Sequence, residues 1–307
     1  MKKKKILIFL NKTSLAHTQI INSKFLNLIL KKNEITLVSN YNMKKSKLLK
    51  NLNVKIVQLN ETKQNSLLIK VLYSFFRSVK LHTSKNFKHN NTLRDFKSIF
   101  LNKIRSHSFC KFIFYVPFWL SLHNLLKINF FLQIFHKFES FLFYSDRFEN
   151  LLIKEKPDLV ITTSPGWWEE DNFFLYSSNK LNIKSICLIL SWDQPTGMGL
   201  ISSKCSEYLV WSKKIKKDLN KFHGISKKKI NILGAIHWDH YFVNQKKKIN
   251  KIKQVLICLK SPTRTNHENV IKMLKRFVST KYRKKLNFVI RPHPIYYSKR
   301  FYSYIKD

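Results

Sequence analysis

Residues 185–199 read SICLILSWDQPTGMG, and this stretch guides the interpretation of the whole chain. An apolar run, Ile186–Leu190, ends abruptly at Ser191-Trp192-Asp193, and a loop with one proline and two glycines follows. A short apolar run bounded by turn formers is typical of a strand buried on both faces of a sheet. In an open parallel sheet, ligands bind outside the carboxyl ends of the strands. Trp192 and Asp193 are therefore candidate site residues. The alternative is an ordinary turn in which Asp193 caps the next helix.

Strand patterns alternate with helical patterns through most of the chain. Apolar runs predict strands at 5–10, 35–38, 54–59, 157–162, 183–190, 207–211 and 230–233. Helical spacing or a helix-start signal follows several of them, at 18–30, 169–181 and 213–222. Such alternation favours a parallel sheet with crossover helices. The sequence therefore predicts the α/β fold class.

Residues 66–154 interrupt this alternation with a stretch that has almost no strand signal, no glycine and many aromatic residues. One helical face collects six apolar residues: Phe131, Ile134, Phe135, Phe138, Phe141 and Leu142. A helix that is aromatic on one side and basic on the other can lie in a bilayer interface. The alternative, helices packed on a sheet, is favoured for 131–154. For Phe109–Leu122, which has little polar surface, both alternatives remain open.

The chain of 307 residues is strongly basic, with 58 Lys and Arg against 17 Asp and Glu and a net charge of +41. The basic residues are spread along its whole length, which indicates compositional drift as much as a dedicated binding face. Such a field attracts anionic membranes, nucleic acid and phosphorylated substrates. No known nucleic-acid-binding motif is present, so drift combined with a membrane or nucleotide role is favoured, and no specific nucleic-acid partner is expected.

Cysteine usage and the amino terminus indicate a cytoplasmic protein. The four cysteines show no C-x-x-C spacing, which is typical of reduced, buried thiols. The apolar part of Met1–Leu10 is too short for a signal peptide and is better interpreted as a first strand. No stretch reaches the roughly 18 apolar residues that a membrane-spanning helix needs. The expected localisation is cytoplasmic, with peripheral contact to the inner face of the cell membrane left open.

Polar residues follow three of the predicted strands, in the loops 162–171, 191–199 and 234–240. If consecutive strands are neighbours, these loops lie at one edge of the sheet. The candidates in this region are Ser164, Gly166, Trp167, Glu169, Asp171, Trp192, Asp193 and Asp239. His237 and His240 beside Asp239 fit no strong zinc signature, so no metal is expected. No cofactor is expected either.

A charged stretch at 246–253 predicts an interdomain linker, after which the α/β pattern restarts with strands at 254–259 and 286–290. The second strand leads into Arg291-Pro292-His293-Pro294, where two prolines restrict the backbone around the imidazole. Arg291 and His293, with Lys260 and Arg264 from the preceding loop, suit a phosphate or pyrophosphate group. No Walker A or G-x-G-x-x-G motif is present, so helix N-termini and basic side chains are left to bind phosphate. Only two strands precede the end of the chain, so this second domain is expected to be incomplete.

Six motifs occur in an order that carries a family resemblance: KILIFLNKTSLAHTQI, KPDLVITTSPG, SWDQPTGMG, EYLVW, INILGAIHWDHY and FVIRPHP. Together they resemble GT-B-fold glycosyltransferases of bacterial surface-polysaccharide biosynthesis. The strand followed by RPHP is also similar to CDP-glycerol glycerophosphotransferases, which build teichoic-acid chains. More loosely, the chain resembles the UDP-sugar 2-epimerases that share this architecture.

The resemblance implies two Rossmann-like domains, with parallel sheets, that face each other across a cleft. Residues 1–245 would be the acceptor-side domain, with the helical insertion at about 66–154, and 254–307 would begin the nucleotide-donor domain. His293 would lie near the donor phosphates, assisted by Arg291, Arg264 and Lys260. Asp193 would lie on the acceptor side and, with Asp171 and Glu169, is a candidate base.

The function implied is transfer of a sugar from a nucleotide-activated donor to a cell-surface glycan or a lipid-linked acceptor. Two alternatives share the fold: a glycerophosphotransferase-type polymerase and a UDP-sugar 2-epimerase. A further alternative is an inactive, truncated homologue that persists as a basic membrane- or nucleic-acid-binding protein.

Overall fold

The computed structural model describes residues 3–11, 20–21, 23–40, 49, 52–59, 67–84, 89–107, 109–142, 145–201, 204–239, 254–258, 272–273, 275–276 and 287–291. The chain divides into two compact units, Met1–Asn244 and Gln245–Asp307.

The larger unit is built on a seven-stranded sheet in which all neighbouring strands are parallel. The strands are β1 (Lys4–Leu10), β2 (Asn33–Ser39), β3 (Lys55–Gln58), β4 (Leu159–Thr162), β5 (Ser185–Leu188), β6 (Glu207–Val210) and β7 (Ile230–Ile232). Their spatial order is β3-β2-β1-β4-β5-β6-β7. The predicted α/β fold with a parallel sheet is therefore confirmed.

The described helices fall into two groups. Helices α1 (Lys24–Leu30), α7 (Glu169–Lys180), α8 (Gln194–Gly197) and α9 (Lys213–His223) alternate with the strands. Between β3 and β4 the chain is helical, with α2 (Leu67–Leu81), α3 (Asn91–His107), α4 (Phe109–Leu125), α5 (Asn129–Leu142) and α6 (Asp146–Glu155). The second group coincides with the stretch that the sequence sets apart for its lack of strand signal.

The central strands of the sheet are buried on both faces, which explains why β1, β4 and β5 are largely apolar runs. In β1, Ile6, Ile8 and Leu10 pack on the side of α1, whereas Leu7 and Phe9 pack on the side of α6 and α7. The Phe9 ring lies 5.3 Å from Phe148 of α6. Because side chains alternate along a strand, a sheet covered by helices on both faces needs apolar residues at every position.

The helices between β3 and β4 form a layer with its own core, which includes Val79, Trp119 and Phe135. A buried ion pair between Lys80 of α2 and Glu139 of α5 crosses this layer. Glu139 also accepts a hydrogen bond of 2.8 Å from the Tyr176 hydroxyl of α7. Burial alone would raise the pKa of Glu139, but the Lys80 ammonium holds it below its usual value. These contacts fix the rotation of α5 relative to the rest of the unit.

Packing on the sheet, the favoured prediction for 131–154, holds for α6, whereas the buried apolar residues of α5 pack in the core of the helical layer. Phe148, Leu151 and Leu152 of α6 are buried against β1 and β4. In α5 the buried residues include Leu132, Phe135 and Glu139, whereas much of the predicted apolar face is exposed. The reason is that the buried ion pair turns inward the side of α5 that carries Glu139, so that Phe135 of the predicted face is buried and Phe131, Ile134, Phe138 and Phe141 are exposed.

The smaller unit contains two described strands, β8 (Gln254–Cys258) and β9 (Asn287–Arg291), which pair in parallel. Cys258 and Arg291 are opposite each other at the carboxyl ends of these strands. Among the described residues of the whole chain, none of the helices is both long enough and apolar enough to span a bilayer.

Candidate functional site

The chain changes direction across the sheet at β1, which lies between β2 and β4. From β1 the chain proceeds to β2 and β3 on one side, and β4 to β7 follow on the other side. The carboxyl ends of β1 and β4 therefore border the topological switch point, where open α/β sheets bind their ligands. The candidate loops that follow β4 and β5 lie at this edge.

Asp171 lies at this switch point and is completely buried. Its Oδ2 accepts a hydrogen bond of 2.7 Å from the Asn11 amide, and its Oδ1 accepts one of 2.9 Å from the Thr162 hydroxyl. Burial raises the pKa of Asp171 to about 7, although both hydrogen bonds oppose the shift. The carboxyl group thus joins the ends of β1 and β4 to α7. Its role as a catalytic base stays a prediction, and in this structure the carboxyl group is closed to solvent.

The loop after β4 is held inside the protein. Ser164 is buried and accepts a hydrogen bond of 3.0 Å from the Trp167 backbone NH, and Gly166 has a φ of 81°, which favours glycine. The buried Trp167 indole donates to the Gly199 carbonyl at 3.2 Å, so this loop is tied to the loop after β5. Thr163 is also buried, and its hydroxyl has no hydrogen-bond partner among the described residues.

The loop after β5 presents its acidic residue to solvent. Asp193 is exposed, and its carboxylate accepts a hydrogen bond from the Ser191 hydroxyl. The neighbouring Trp192 is 66% exposed. Asp193 occupies the N-cap position of α8, but its side chain makes no capping hydrogen bond to any described residue. The alternative prediction, that Asp193 caps the next helix, is therefore right for its position and wrong for its side-chain contacts.

Two contacts on the inner side fix this loop. Gly199 has a φ of 72° and lies so close to α2 that an added Cβ would be 2.1 Å from the Lys80 carbonyl oxygen. His223, at the end of α9, donates from Nε2 to the Pro195 carbonyl at 2.7 Å. Burial lowers the pKa of His223 to about 4, so the ring is neutral at pH 7. Asp193 is therefore an exposed carboxylate on a loop anchored at both ends of α8.

A cation that the sequence interpretation missed lies beside the loop after β4. Arg77 of α2 places its guanidinium carbon 5.8 Å from the ring centroid of Trp168. The next residue, Glu169, has its pKa raised by burial and by the Glu170 charge, while Arg77 opposes the shift. Arg77, Gly166, Trp167 and Asn172 line a small cleft of about 10 Å³. This cleft is a crevice between packed side chains and not a preformed ligand cavity.

The third candidate loop follows β7. Asp239 is half-buried directly after the short 3-10 helix Ile236–Trp238. The Trp238 ring lies 5.6 Å from that of Trp211, which follows β6. Among the described residues, no group of three or more His, Cys, Asp or Glu side chains forms a candidate metal site.

The predicted phosphate-binding residues lie in the smaller unit. Arg291 is exposed at the carboxyl end of β9. Lys260, Arg264 and His293 lie outside the described residues. The assignment of these four residues to a donor site stays a prediction.

One further residue of the candidate site could have been found from the sequence. Asn11 is the first polar residue after β1 and therefore lies at the switch point, like Thr162 at the end of β4, where the predicted loop 162–171 begins. His223 ends a helix just before Gly224, but its contact with Pro195 depends on tertiary structure. Arg77 had no signal, because one arginine among 58 basic residues is not distinctive.

Comparison with known proteins finds likeness in structure alone. No protein-family model matches the sequence, and no curated protein matches it either. The structure of S. aureus MnaA with UDP superposes with a TM-score of 0.52 at 11% identity, covering 99% of this chain and 65% of that one. A protein described as the UDP-N-acetylglucosamine 2-epimerase of Listeria monocytogenes gives the same TM-score at 10% identity, with coverages of 99% and 65%. Acinetobacter baumannii MurG reaches 0.42 at 9% identity, with coverages of 98% and 68%, which is too low to support an argument.

The chain thus spans 65% of the length of the two more similar proteins. The expected resemblance to GT-B-type nucleotide-sugar enzymes is confirmed at the level of fold. Identities of this size establish the shared fold alone.

Proposed function

We propose that the protein acts on a nucleotide-activated sugar and transfers the sugar to a cell-surface glycan or a lipid-linked acceptor. The observation that supports this proposal is an exposed carboxylate, Asp193, on an anchored loop next to the switch point of a parallel sheet. The likeness in fold to a protein solved with UDP adds support for a uridine-nucleotide donor. Residues 1–245 would bind the acceptor, and 254–307 would contribute to donor binding.

In the proposed reaction, Asp193 removes the proton from an acceptor hydroxyl as that oxygen attacks the anomeric carbon of the donor. The bond between the anomeric carbon and the phosphate oxygen breaks, and the nucleotide diphosphate leaves with the bonding electron pair. Arg291 and His293, with Lys260 and Arg264, would neutralise the departing phosphate. Glu169, whose pKa burial raises, is the second candidate base. Positioning and charge neutralisation would supply the rate enhancement.

A 2-epimerase is the second candidate, because one of the two more similar structures is described as a UDP-N-acetylglucosamine 2-epimerase. Epimerisation needs no acceptor, so the two functions differ in their requirements. An epimerase would convert a UDP-sugar in the absence of any acceptor, whereas a transferase would need one.

The decisive experiment is a calorimetric titration of the full chain with a panel of nucleotide sugars and CDP-glycerol, followed by product analysis with and without acceptor glycans. Saturable binding of one donor and acceptor-dependent release of its nucleotide would support the transferase. Product formed from the donor alone would identify an epimerase, and binding of CDP-glycerol would identify a glycerophosphotransferase. If none of the nucleotides binds, the result would support the alternative of an inactive homologue.

The proposed function implies a cytoplasmic protein, because nucleotide sugars are available in the cytoplasm.

A further inference from the structure

The layer formed by α2, α4 and α5 carries a continuous series of aromatic rings. Phe118 of α4 stacks on Phe75 of α2 with ring centroids 5.2 Å apart, and Phe75 lies 5.7 Å from Phe76. Phe76 in turn contacts Phe138 of α5 at 5.9 Å. Ile134 and Phe141 lie on α5 about one helical turn before and after Phe138. We call Phe75, Phe76, Phe118, Ile134, Phe138 and Phe141 the aromatic surface.

Four members of the aromatic surface face solvent, and Phe75 and Phe76, which are partly buried against the core of the helical layer, connect Phe118 to Phe138. Phe118 is 65% exposed, Phe138 48% and Phe141 82%, with Ile134 at 50%. Single exposed apolar side chains are ordinary on protein surfaces, but a contiguous exposed group marks an interaction site. Phe118 and Phe138 are linked through Phe75 and Phe76, and Ile134 and Phe141 flank Phe138 on α5, so the exposed side chains form such a group.

The exposure is a fixed property of the fold. Glu139 lies on the opposite side of α5 and is buried in its ion pair with Lys80 and its hydrogen bond with Tyr176. Turning α5 to bury Phe138 would pull Glu139 away from both partners and break the buried ion pair. Such a change is strongly unfavourable, so α5 stays with its aromatic side outward.

Charge selects the occupant of this surface. Residues 67–142 contain twelve Lys and Arg but only two acidic residues, Asp95 and Glu139, and Glu139 is buried against Lys80. Lys137, next to Phe138 on α5, is exposed. A second copy of this chain is a poor occupant, because two molecules with a net charge of +41 repel each other. A bilayer with anionic headgroups attracts the chain instead.

We propose that the aromatic surface docks the protein on a membrane that contains anionic lipids. The phenylalanine rings enter the boundary between headgroups and acyl chains, and Lys137 and other exposed basic side chains of this layer face the lipid phosphates. This interaction is independent of the proposed transferase activity, so either proposal can fail without the other.

The test is co-sedimentation of the full chain with vesicles of phosphatidylglycerol, with phosphatidylcholine vesicles for comparison. Phe141→Asp is the test variant, and Ile232→Asp is the matched control, because Ile232 is 48% exposed on β7, outside the aromatic surface. Both substitutions change the net charge by the same amount. Because both side chains are exposed, circular dichroism should show the parent fold for each.

The parent chain and Ile232→Asp are expected to bind phosphatidylglycerol vesicles and not phosphatidylcholine vesicles. Phe141→Asp should bind on the order of tenfold more weakly, the effect of withholding one aromatic side chain from an apolar environment. Equal weakening in both variants would show that overall charge alone drives binding and would overturn the proposal. Equal binding to neutral vesicles would overturn it as well. A dimer that Phe141→Asp converts to a monomer, measured by light scattering, would assign the surface to a second copy instead.

Discussion

The Asn11 amide donates a hydrogen bond of 2.7 Å to the Asp171 carboxylate, which links the end of β1 to α7 across the switch point of the sheet. Asp171 also accepts from Thr162 at the end of β4. The sheet is therefore tied at its switch point by a carboxyl group that is buried and has a pKa of about 7.

Replacing Asp171 with Asn should change how stability depends on pH. The native carboxyl has a pKa of about 7 against an ordinary 3.8, so the folded state binds the proton more tightly than the unfolded chain. Asp171 therefore contributes fully to the free energy of unfolding below about pH 4. This contribution falls as the pH rises to about 7 and is constant above that pH. The total loss is about 4 kcal/mol. Urea unfolding from pH 4 to 8 should show the parent losing stability relative to Asp171→Asn over that interval. A difference that is independent of pH would contradict the raised pKa.

The His223→Gln variant should show that His223 makes the free energy of unfolding depend on pH in the opposite direction. The pKa of His223 is about 4 in the folded state against an ordinary 6.5, so the unfolded chain binds the proton more tightly. The contribution of the neutral ring to stability is present above about pH 6.5 and is lost as the pH falls towards 4, by about 3 kcal/mol. Glutamine can still donate to the Pro195 carbonyl but does not titrate.

Unfolding curves of the parent and His223→Gln between pH 4 and 7 should therefore diverge towards the acidic end, with the parent losing more. Because Asp171 and His223 act in opposite directions, the parent profile alone is not diagnostic. Parallel profiles for the two proteins would mean that His223 titrates normally.

Gly199→Ala should destabilise the protein by at least about 2 kcal/mol. The added Cβ would lie 2.1 Å from the Lys80 carbonyl oxygen, and the φ of 72° is unfavourable for alanine. Gly197→Ala is the matched control, since a Cβ there would have no described atom within 4 Å. Thermal and urea unfolding of the two variants should separate them clearly. If both variants are as stable as the parent, the loop does not approach α2 as closely as the structure shows.

Asp193→Asn and His293→Ala should affect different steps of the proposed transfer. Removing a general base is expected to lower turnover by on the order of a hundredfold or more, and donor affinity should not change in Asp193→Asn. His293→Ala should weaken donor binding itself. Asp95→Asn, at an exposed carboxylate on α3, controls for loss of one negative charge. Transfer rates and calorimetric affinities measured for the three variants test the assignment, and unchanged turnover in Asp193→Asn and His293→Ala would remove it.

The sequence predicted the sheet well because burial on both faces leaves a local record. Every position of a strand such as Ile6–Leu10 must be apolar, so the run itself reveals the strand. The loops at the carboxyl ends of β4 and β5 were accessible by the same reasoning, since a parallel sheet places them at one edge.

The orientation of α5 was not accessible to the same reasoning. Phe131, Phe135 and Phe138 made one broad apolar face, and periodicity alone cannot tell which part of it turns inward. The rotation depends on Glu139, whose partner Lys80 lies 59 residues earlier in the chain. Likewise, Arg77 and His223 act through contacts that form only in the folded protein.

The end of helix α2 holds the loop after β5 in place. The Lys80 carbonyl accepts a hydrogen bond of 2.9 Å from the Leu200 backbone NH, while Gly199 lies against the same turn. Inserting one residue into α2 upstream would rotate that carbonyl by about 100° and release Leu200. The number of residues in α2 therefore determines whether the Lys80 carbonyl can bind the loop. Grafting residues 191–199 onto another scaffold would preserve their shape only if a helix end of matching phase were transplanted with them.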